Sequence, residues 1–116
     1  MEIPGTHLKK GNFGDEIINY IIEHYNDISI EQVAEHFHFS RQYCSRLIRD
    51  ISGCTFSELL TNIRMRQGEN LLAFTALSIE DISEKVGYKN PETFIRVFKK
   101  SNGCTPTDFR KQGAKV

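Results

Sequence analysis

Apolar residues recur at helical spacing along most of the chain, and no segment alternates apolar and polar residues over the length of a half-buried strand. The first apolar stripe runs from Phe13 to Tyr25, and a longer stripe runs from Phe56 to Phe74. Shorter stripes lie between these two and after them. The pattern therefore predicts an all-α protein of about seven helices, with residues 1–12 as a tail or linker.

Residues that begin and end helices flank these stripes. Residues 29–32 (Ser-Ile-Glu-Gln) and 55–58 (Thr-Phe-Ser-Glu) fit the capping box, in which the first and fourth side chains each bond a free backbone amide. Gly53 and Gly103 follow predicted helices, where a left-handed residue commonly ends the helix. Gly68 interrupts the longest predicted helix, at a cost of about 1 kcal/mol relative to Ala. We therefore expect a close helix–helix approach at this glycine.

An internal repeat organises the chain. Residues 28–39 match residues 77–88 at an offset of 49, and after one extra residue in the second turn the match continues at an offset of 50. Each copy combines a short helix, a tight turn, a second helix, a glycine and a capped helix, which is typical of a helix-turn-helix unit. We therefore predict two helix-turn-helix subdomains on either side of a long helix that spans roughly 30 Å. The predicted divisions are a tail or linker at 1–12, a first subdomain at 13–54, the linker helix at 55–76, a second subdomain at 77–112 and a tail at 113–116.

The second helix of each copy has an apolar inner face and a polar, mostly basic outer face. The predicted inner faces consist of Cys44, Leu47, Ile48 and Ile51 in the first copy and Phe94, Val97 and Phe98 in the second. A recognition helix in the DNA major groove needs such an outer face, because Arg can contact guanine, Gln can contact adenine and Glu can accept from cytosine. The helix N-termini at Ser40 and Asn90 offer backbone amides to phosphate. The candidate DNA-binding residues are Ser40, Arg41, Gln42, Ser45, Arg46, Arg49, Asn90, Glu92, Thr93, Ile95, Arg96, Lys99 and Lys100.

Arg46 and Arg96 occupy equivalent outer positions in the two copies, and the pattern indicates them most strongly as DNA contacts. The alternative for either face alone is an ordinary solvated helix exterior, and the agreement of two copies in register disfavours it. Ile95 is the apolar exception, which either contacts a thymine methyl group or packs against the neighbouring helix. Pro91 and Thr93 either contact DNA or only shape the start of their helix.

The second copy also contains a long motif. Its residues are Ile79, Ile82, Ser83, Val86, Gly87, Tyr88, Asn90, Thr93, Phe94, Arg96, Phe98, Lys99, Lys100, Gly103, Thr105, Pro106, Phe109 and Arg110. This motif is similar to the signature of the DNA-binding domain of AraC/XylS-type transcription regulators, and residues 64–72 resemble the linker-helix motif of that family. The resemblance covers residues 17–112 and implies two helix-turn-helix subdomains that enter successive major grooves on one face of the DNA.

Four residues depart from the family pattern. Gly68 and Ser83 stand where the family commonly has Ala. Phe109 replaces a common Tyr, and His38 replaces a common Gly in the first turn. We expect His38 to strain that turn, because residues other than Gly adopt a positive φ reluctantly.

The net charge of zero conceals a strong polarity along the chain. Residues 1–10 sum to +1, residues 11–40 carry six acidic residues and no Lys or Arg, and residues 41–116 carry thirteen basic and eight acidic residues. Such asymmetry is a reason to consider nucleic-acid binding. We expect the acidic segment to face away from DNA phosphates, and we consider RNA polymerase or another protein domain as its partner.

The sequence carries no motif for catalysis, a metal or a cofactor. It contains no Gly-rich phosphate loop, no H-E-x-x-H and no G-x-S-x-G motif. The three cysteines, Cys44, Cys54 and Cys104, include no C-x-x-C pair, so a disulfide scaffold and a paired-cysteine zinc site are both disfavoured. We therefore expect a protein that is not an enzyme and that holds no metal or cofactor.

Double-stranded DNA is the expected partner, and no membrane contact is expected. No stretch approaches the roughly 20 apolar residues of a membrane-spanning helix, and the first residues lack the apolar core of a signal peptide, which favours the cytoplasm. The resemblance to AraC/XylS-type regulators implies an attached N-terminal effector or oligomerisation domain, although some members of that family are free-standing. The loose first twelve residues look like a linker, so we expect a fragment of a larger regulator.

Two alternatives to transcription regulation stay open at this point. The first is a helical protein-interaction module without DNA binding, which the basic outer faces disfavour. The second is an accessory DNA-binding domain of a larger DNA-repair enzyme, which depends on sequence outside this chain.

Overall fold

The computed structural model describes the backbone of residues 7–113 and the side chains of residues 14–113. Seven helices and no strand occur over the described backbone, which confirms the all-α prediction. The helices are α1 (His7–Glu23), α2 (Ile30–Phe37), α3 (Arg41–Ser52), α4 (Phe56–Phe74), α5 (Ile79–Lys85), α6 (Pro91–Asn102) and α7 (Pro106–Gly113). The chain divides into two compact units, Met1–Leu60 and Thr61–Val116, so the boundary falls within α4.

The first helix begins earlier than the apolar pattern predicts. Residues 7–12, which the sequence analysis assigns to a tail or linker, already belong to α1, so the predicted helix start at Phe13 is wrong. Leucine and lysine at positions 8–10 favour a helix by their intrinsic propensity, so the helix extends without an apolar stripe. Residues 1–6 of the predicted tail and residues 114–116 lie outside the described residues, and α7 continues to Gly113.

Both predicted capping boxes form. The backbone amide of Gln32 donates to Ser29 Oγ at 3.2 Å, and the amide of Ser29 donates to Gln32 Oε1 at 2.9 Å. The amide of Glu58 donates to Thr55 Oγ1 at 3.1 Å, and the amide of Thr55 donates to Glu58 Oε1 at 2.9 Å. These reciprocal bonds satisfy amides that the helix itself leaves unpaired, and they fix where α2 and α4 begin.

The core of the first unit is built from α1, α2, α3 and the start of α4. Its buried apolar residues include Ile17, Ile21, Ile28, Ile30, Val33, Ala34, Cys44, Leu47, Ile48 and Leu60. Ile51 was predicted to share this core but is 36% exposed. It lies in the last turn of α3 and covers Gly14 of α1, where a Cβ atom would lie 3.1 Å from Ile51 Cδ1. Ile51 therefore packs at the rim of the core instead of inside it.

The core of the second unit is built around two phenylalanine rings of α6. Phe94 and Phe98 are fully buried and lie with their ring centroids 5.7 Å apart. The other buried residues are Met65, Leu72, Ile82, Ser83, Val86 and Pro106. Val97, which was predicted to point inward, is only half-buried. A Cβ atom at Gly68 would lie 3.1 Å from Phe94 Cε1, which confirms the expected close helix–helix approach at this glycine.

Arg110 ties α7 to the end of α4 within the second unit. Its Nε atom donates to the carbonyl oxygen of Leu72, and its Nη2 atom donates to the carbonyl oxygen of Thr75, both at 3.1 Å. These carbonyls belong to the last turn of α4 and the residue that follows it, where a helix cannot bond them itself. Arg110 thus caps α4 from a position more than 30 residues later in the chain.

Candidate nucleic-acid interface

The turns of the two helix-turn-helix copies have the same backbone hydrogen bond. The amide of Phe39 donates to the carbonyl of Ala34 at 2.8 Å, and the amide of Tyr88 donates to the carbonyl of Ser83 at 2.9 Å. These four residues occupy equivalent positions in the repeat. The repeat seen in the sequence therefore extends to this backbone hydrogen bond, although the second turn has one more residue before its second helix.

Each turn also requires one left-handed residue, and the two copies supply it differently. Gly87 has a φ of 108° in the second copy, whereas His38 has a φ of 61° in the first. His38 is the one non-glycine residue with positive φ over residues 7–113, and the expectation of a strained first turn is confirmed. Because a left-handed conformation brings Cβ close to the carbonyl oxygen, it costs a residue other than glycine roughly 1–2 kcal/mol.

Ser40 and Asn90 cap the two candidate recognition helices. Ser40 Oγ accepts from the amide of Tyr43 at 3.1 Å, and Asn90 Oδ1 accepts from the amide of Thr93 at 3.1 Å. The hydroxyl of Thr93 also donates to Asn90 Oδ1 at 3.3 Å. The side-chain oxygens of both caps are therefore occupied by the helix start, and the other first-turn amides are the groups left for a phosphate.

The outer face of α3 presents a connected basic surface. Arg41, Gln42, Arg46 and Arg49 are exposed and Ser45 is half-buried, and the five together line an open depression of about 310 Å³. Three guanidinium groups in one depression create a positive potential that suits an anionic partner. The structure thus brings together five of the six first-copy residues that the sequence predicts, while Ser40 lies one residue before the helix.

The outer face of α6 is also charged and accessible. Glu92, Arg96, Lys99 and Lys100 are exposed, and Thr93 is half-buried beside its cap. Ile95 is half-buried too, so part of its side chain packs on the protein and part is available to a partner. This placement is compatible with either of the two roles considered for Ile95.

One predicted site residue is held by an ion pair. Arg41 Nε donates to Glu31 Oε2 at 2.8 Å, and the two side chains are 62% and 65% exposed. A hydrogen bond from its own backbone amide, followed by that from Arg41, holds the pKa of the Glu31 carboxyl below its ordinary value. The sequence analysis missed Glu31. The available signal was an acidic residue in the first turn of α2 followed by a basic residue at the start of α3.

Tyr43 is a second residue beside this surface that the sequence analysis missed. It lies on α3, is 45% exposed and meets Phe39 edge to face with ring centroids 4.9 Å apart. Large aromatic side chains that stay exposed next to a basic face are candidates for contact with a partner. Tyr43 lies between the inner and outer faces of α3, so the helical pattern assigns it to neither face.

No metal centre or membrane segment is found where side chains are described. Residues 14–113 contain no group of three or more His, Cys, Asp or Glu residues placed to hold a metal ion. Within the same residues, none of the helices combines the length and apolar character needed to cross a membrane. The cysteines are free thiols, and burial raises the pKa of Cys44.

The model of the helix-turn-helix domain family matches residues 33–112, which is more than half of the chain. The chain belongs to the AraC-type helix-turn-helix family. This membership confirms the resemblance found in the sequence and the prediction of a DNA-binding domain for transcription regulation. Its curated relatives include proteins named as transcription regulators.

Individual members of the family are similar over most of this chain. The uncharacterized HTH-type transcriptional regulator YtdP of Bacillus subtilis (strain 168) is 34% identical over 102 residues, which cover 87% of this chain and 13% of YtdP. The probable transcription factor PqrA of Proteus vulgaris is 33% identical over 86 residues, which cover 74% of this chain and 70% of PqrA.

A solved structure supports both the family and the fold. The C-terminal domain of AraT, a response regulator from Geobacillus stearothermophilus, is 38% identical with a TM-score of 0.81, and the match covers 85% of this chain and 84% of that domain. The first curated relatives are much longer than this AraC-type chain, which spans 13% to 42% of their lengths.

Proposed function

We propose that this chain binds a specific duplex sequence by placing α3 and α6 in successive major grooves on one face of the DNA. The observation that supports this most directly is that Arg46 and Arg96 are both exposed at equivalent positions of two helices whose preceding turns share a backbone hydrogen bond. A single chain would then supply two recognition helices, where many helix-turn-helix proteins need a dimer. The functional division into subdomains at 13–54 and 77–112 with a linker helix at 55–76 belongs to this proposal.

The chemistry of the exposed side chains suggests a role for each part of the surface. Arg46 and Arg96 are the proposed base contacts, because guanidinium groups bond the two acceptors of guanine in the major groove. Gln42 and Glu92 are the proposed contacts to adenine and cytosine. Arg41 lies at the N-terminal end of α3, where a recognition helix contacts base edges, and is a further proposed base contact. Arg49, Lys99 and Lys100 are the proposed phosphate contacts, Ser45, Thr93 and Ile95 are further proposed contacts, and Ser40 and Asn90 shape the helix starts.

The proposal also includes protein partners. Residues 14–40 carry six acidic side chains and no Lys or Arg, so phosphate would repel α2 and the described part of α1. We therefore assign this acidic surface to contact with RNA polymerase or with an effector or oligomerisation domain. The greater length of the first relatives supports a partner domain, and a regulator of bacterial type would act in the cytoplasm.

Selection from a random pool of duplex DNA tests the proposal. The retained duplexes should converge on two short blocks separated by about one helical turn. Arg46→Ala should relax one block and Arg96→Ala the other, whereas Arg66→Ala, which removes an exposed charge of α4 outside both outer faces, should relax neither.

Two outcomes would contradict the proposal. If no sequence is enriched even at low salt, the chain does not select DNA by itself, and its basic faces are surfaces for protein contact. If Arg66→Ala changes the selected sequence as much as the two recognition-helix variants, the enrichment reflects general charge and not base recognition.

A further inference from the structure

We infer that Glu31 is a positioning residue for DNA recognition, which fixes the guanidinium of Arg41 for contact with the target duplex. This inference rests on the proposed function, because Arg41 is one of the proposed DNA-binding residues. Glu31 itself lies on α2, outside either recognition helix.

The geometry of the pair leaves Arg41 able to bind. Glu31 Oε2 accepts from Nε of Arg41, and a guanidinium has four further N–H donors on its terminal nitrogens. Arg41 also lines the depression formed with Gln42, Ser45, Arg46 and Arg49. The bond to Glu31 therefore restricts the rotation of Arg41 without blocking the nitrogens that would reach the DNA.

Stability of the fold is a poor explanation for this pair. Both side chains are more than 60% exposed, and exposed ion pairs contribute little to stability because water and salt screen them. An acidic side chain next to a DNA-binding surface also opposes phosphate binding. By contrast, a long, flexible arginine that is already held in one orientation loses less conformational entropy when it binds. This raises the affinity only for a complex in which the arginine binds in that orientation.

The ion pair between Glu31 and Arg41 has no equivalent in the second copy, so we treat it as a recognition element of the first copy alone. The residue equivalent to Glu31 in the repeat is Glu80, but the residue equivalent to Arg41 is Pro91. Pro91 cannot form such a pair, so Glu80 has no arginine to position at the start of α6. We therefore expect the effect of the pair to be confined to the block of DNA that the first copy reads.

A comparison of two charge-matched variants tests the inference. Glu31→Gln and Glu35→Gln each remove one acidic charge from α2, and Glu35 forms no ion pair among the described residues. Affinities are measured for the duplex selected by the unaltered chain and for a scrambled duplex. Glu35→Gln should leave the ratio of the two affinities unchanged, whereas Glu31→Gln should lower it by about threefold or more. Thermal unfolding of both variants confirms that they fold.

A double-mutant cycle identifies the residue through which Glu31 acts. In an Arg41→Ala background, Glu31→Gln should have no further effect on the affinity ratio. The inference is overturned if Glu31→Gln and Glu35→Gln change both duplexes equally, or if the effect of Glu31→Gln persists without Arg41. If the unaltered chain itself shows no preference for any selected duplex, the proposed function fails and the inference fails with it.

Discussion

The ring of Phe94 packs on the backbone of Gly68, in the space that a side chain at this position would occupy. A Cβ atom at Gly68 would lie 3.1 Å from Cε1 and 3.2 Å from Cζ of that ring. Phe94 is fully buried in the middle of the second unit, so its ring has little freedom to withdraw. The glycine thus permits the contact through which α6, one of the two proposed recognition helices, rests on α4.

Gly68→Ala should destabilise the protein although alanine favours the helix. The gain in helix propensity is about 1 kcal/mol, and overpacking a filled core typically costs about 1–3 kcal/mol. We expect a net loss of about 1 kcal/mol in the free energy of unfolding measured with urea. In a Phe94→Leu background, where the ring is absent, the same substitution should instead raise stability. An increase in the unaltered background would contradict this account of Gly68.

His38→Gly should stabilise the first turn. His38 holds a φ of 61°, a conformation that glycine adopts without steric cost and that other residues adopt at a cost of about 1 kcal/mol or more. We expect the free energy of unfolding to rise by about 1 kcal/mol. His38→Ala removes the same imidazole but keeps Cβ, so it should give no such gain. Equal effects of the two substitutions would show that the imidazole, and not the backbone, limits stability.

The contact of Arg110 with α4 can be tested in a similar way. Arg110→Ala removes two hydrogen bonds to the carbonyls of Leu72 and Thr75, and we expect a loss of about 1–2 kcal/mol in unfolding free energy. Arg110→Lys should recover only part of that loss, because an ammonium group cannot reproduce the fork of two donors. Lys111→Ala, at the exposed neighbouring position, should change stability by less than about 0.5 kcal/mol.

The parts of the fold that the sequence predicts well are those set by neighbouring residues. The capping box of Ser29 and Gln32 joins residues three apart, and its presence alone locates the start of α2. The left-handed glycine Gly53 ends α3 for an equally local reason. The early start of α1 escaped prediction because residues 7–12 are helical without an apolar stripe, which is the signal that the pattern detects.

The parts that the sequence does not predict depend on how separate elements meet. Arg41 forms its ion pair with Glu31 only because the first turn brings the start of α3 beside the start of α2. Arg110 donates a hydrogen bond to the carbonyl of Leu72, 38 residues away in the chain, and nothing in the local sequence of either residue indicates a partner. The sequence predicts the basic face of α3, because the geometry of a single helix sets the spacing of its residues. It does not predict the contacts that hold the side chains of that face.

The pKa of Glu31 gives the ion pair a dependence on pH. The folded state lowers this pKa, so the ionised carboxylate stabilises the fold above the ordinary pKa of a glutamic acid, about 4.3, and that contribution disappears as acid protonates it. Because the pair is exposed, unaltered protein and Glu31→Gln should differ only slightly in unfolding midpoint at neutral pH, and this difference should disappear as acid protonates Glu31. Glu35→Gln removes the same charge from α2 without breaking an ion pair among the described residues, and it serves as the control for net charge. A constant difference from pH 7 to pH 3 would show that charge on Glu31 does not stabilise the fold.

The proposed phosphate contacts predict the salt dependence of DNA binding. Each phosphate contact that releases a counterion contributes about 0.9 to the slope of log affinity against log salt concentration. Lys99→Ala and Arg49→Ala, one on each proposed recognition helix, should each reduce the magnitude of that slope by about this amount on the selected duplex and on a scrambled duplex alike. Arg66→Ala should leave the slope unchanged, because Arg66 lies on α4 outside both outer faces. Slopes that fall equally for all three variants would mean that DNA responds to the total charge of the chain, and the assignment of phosphate contacts to α3 and α6 would then be wrong.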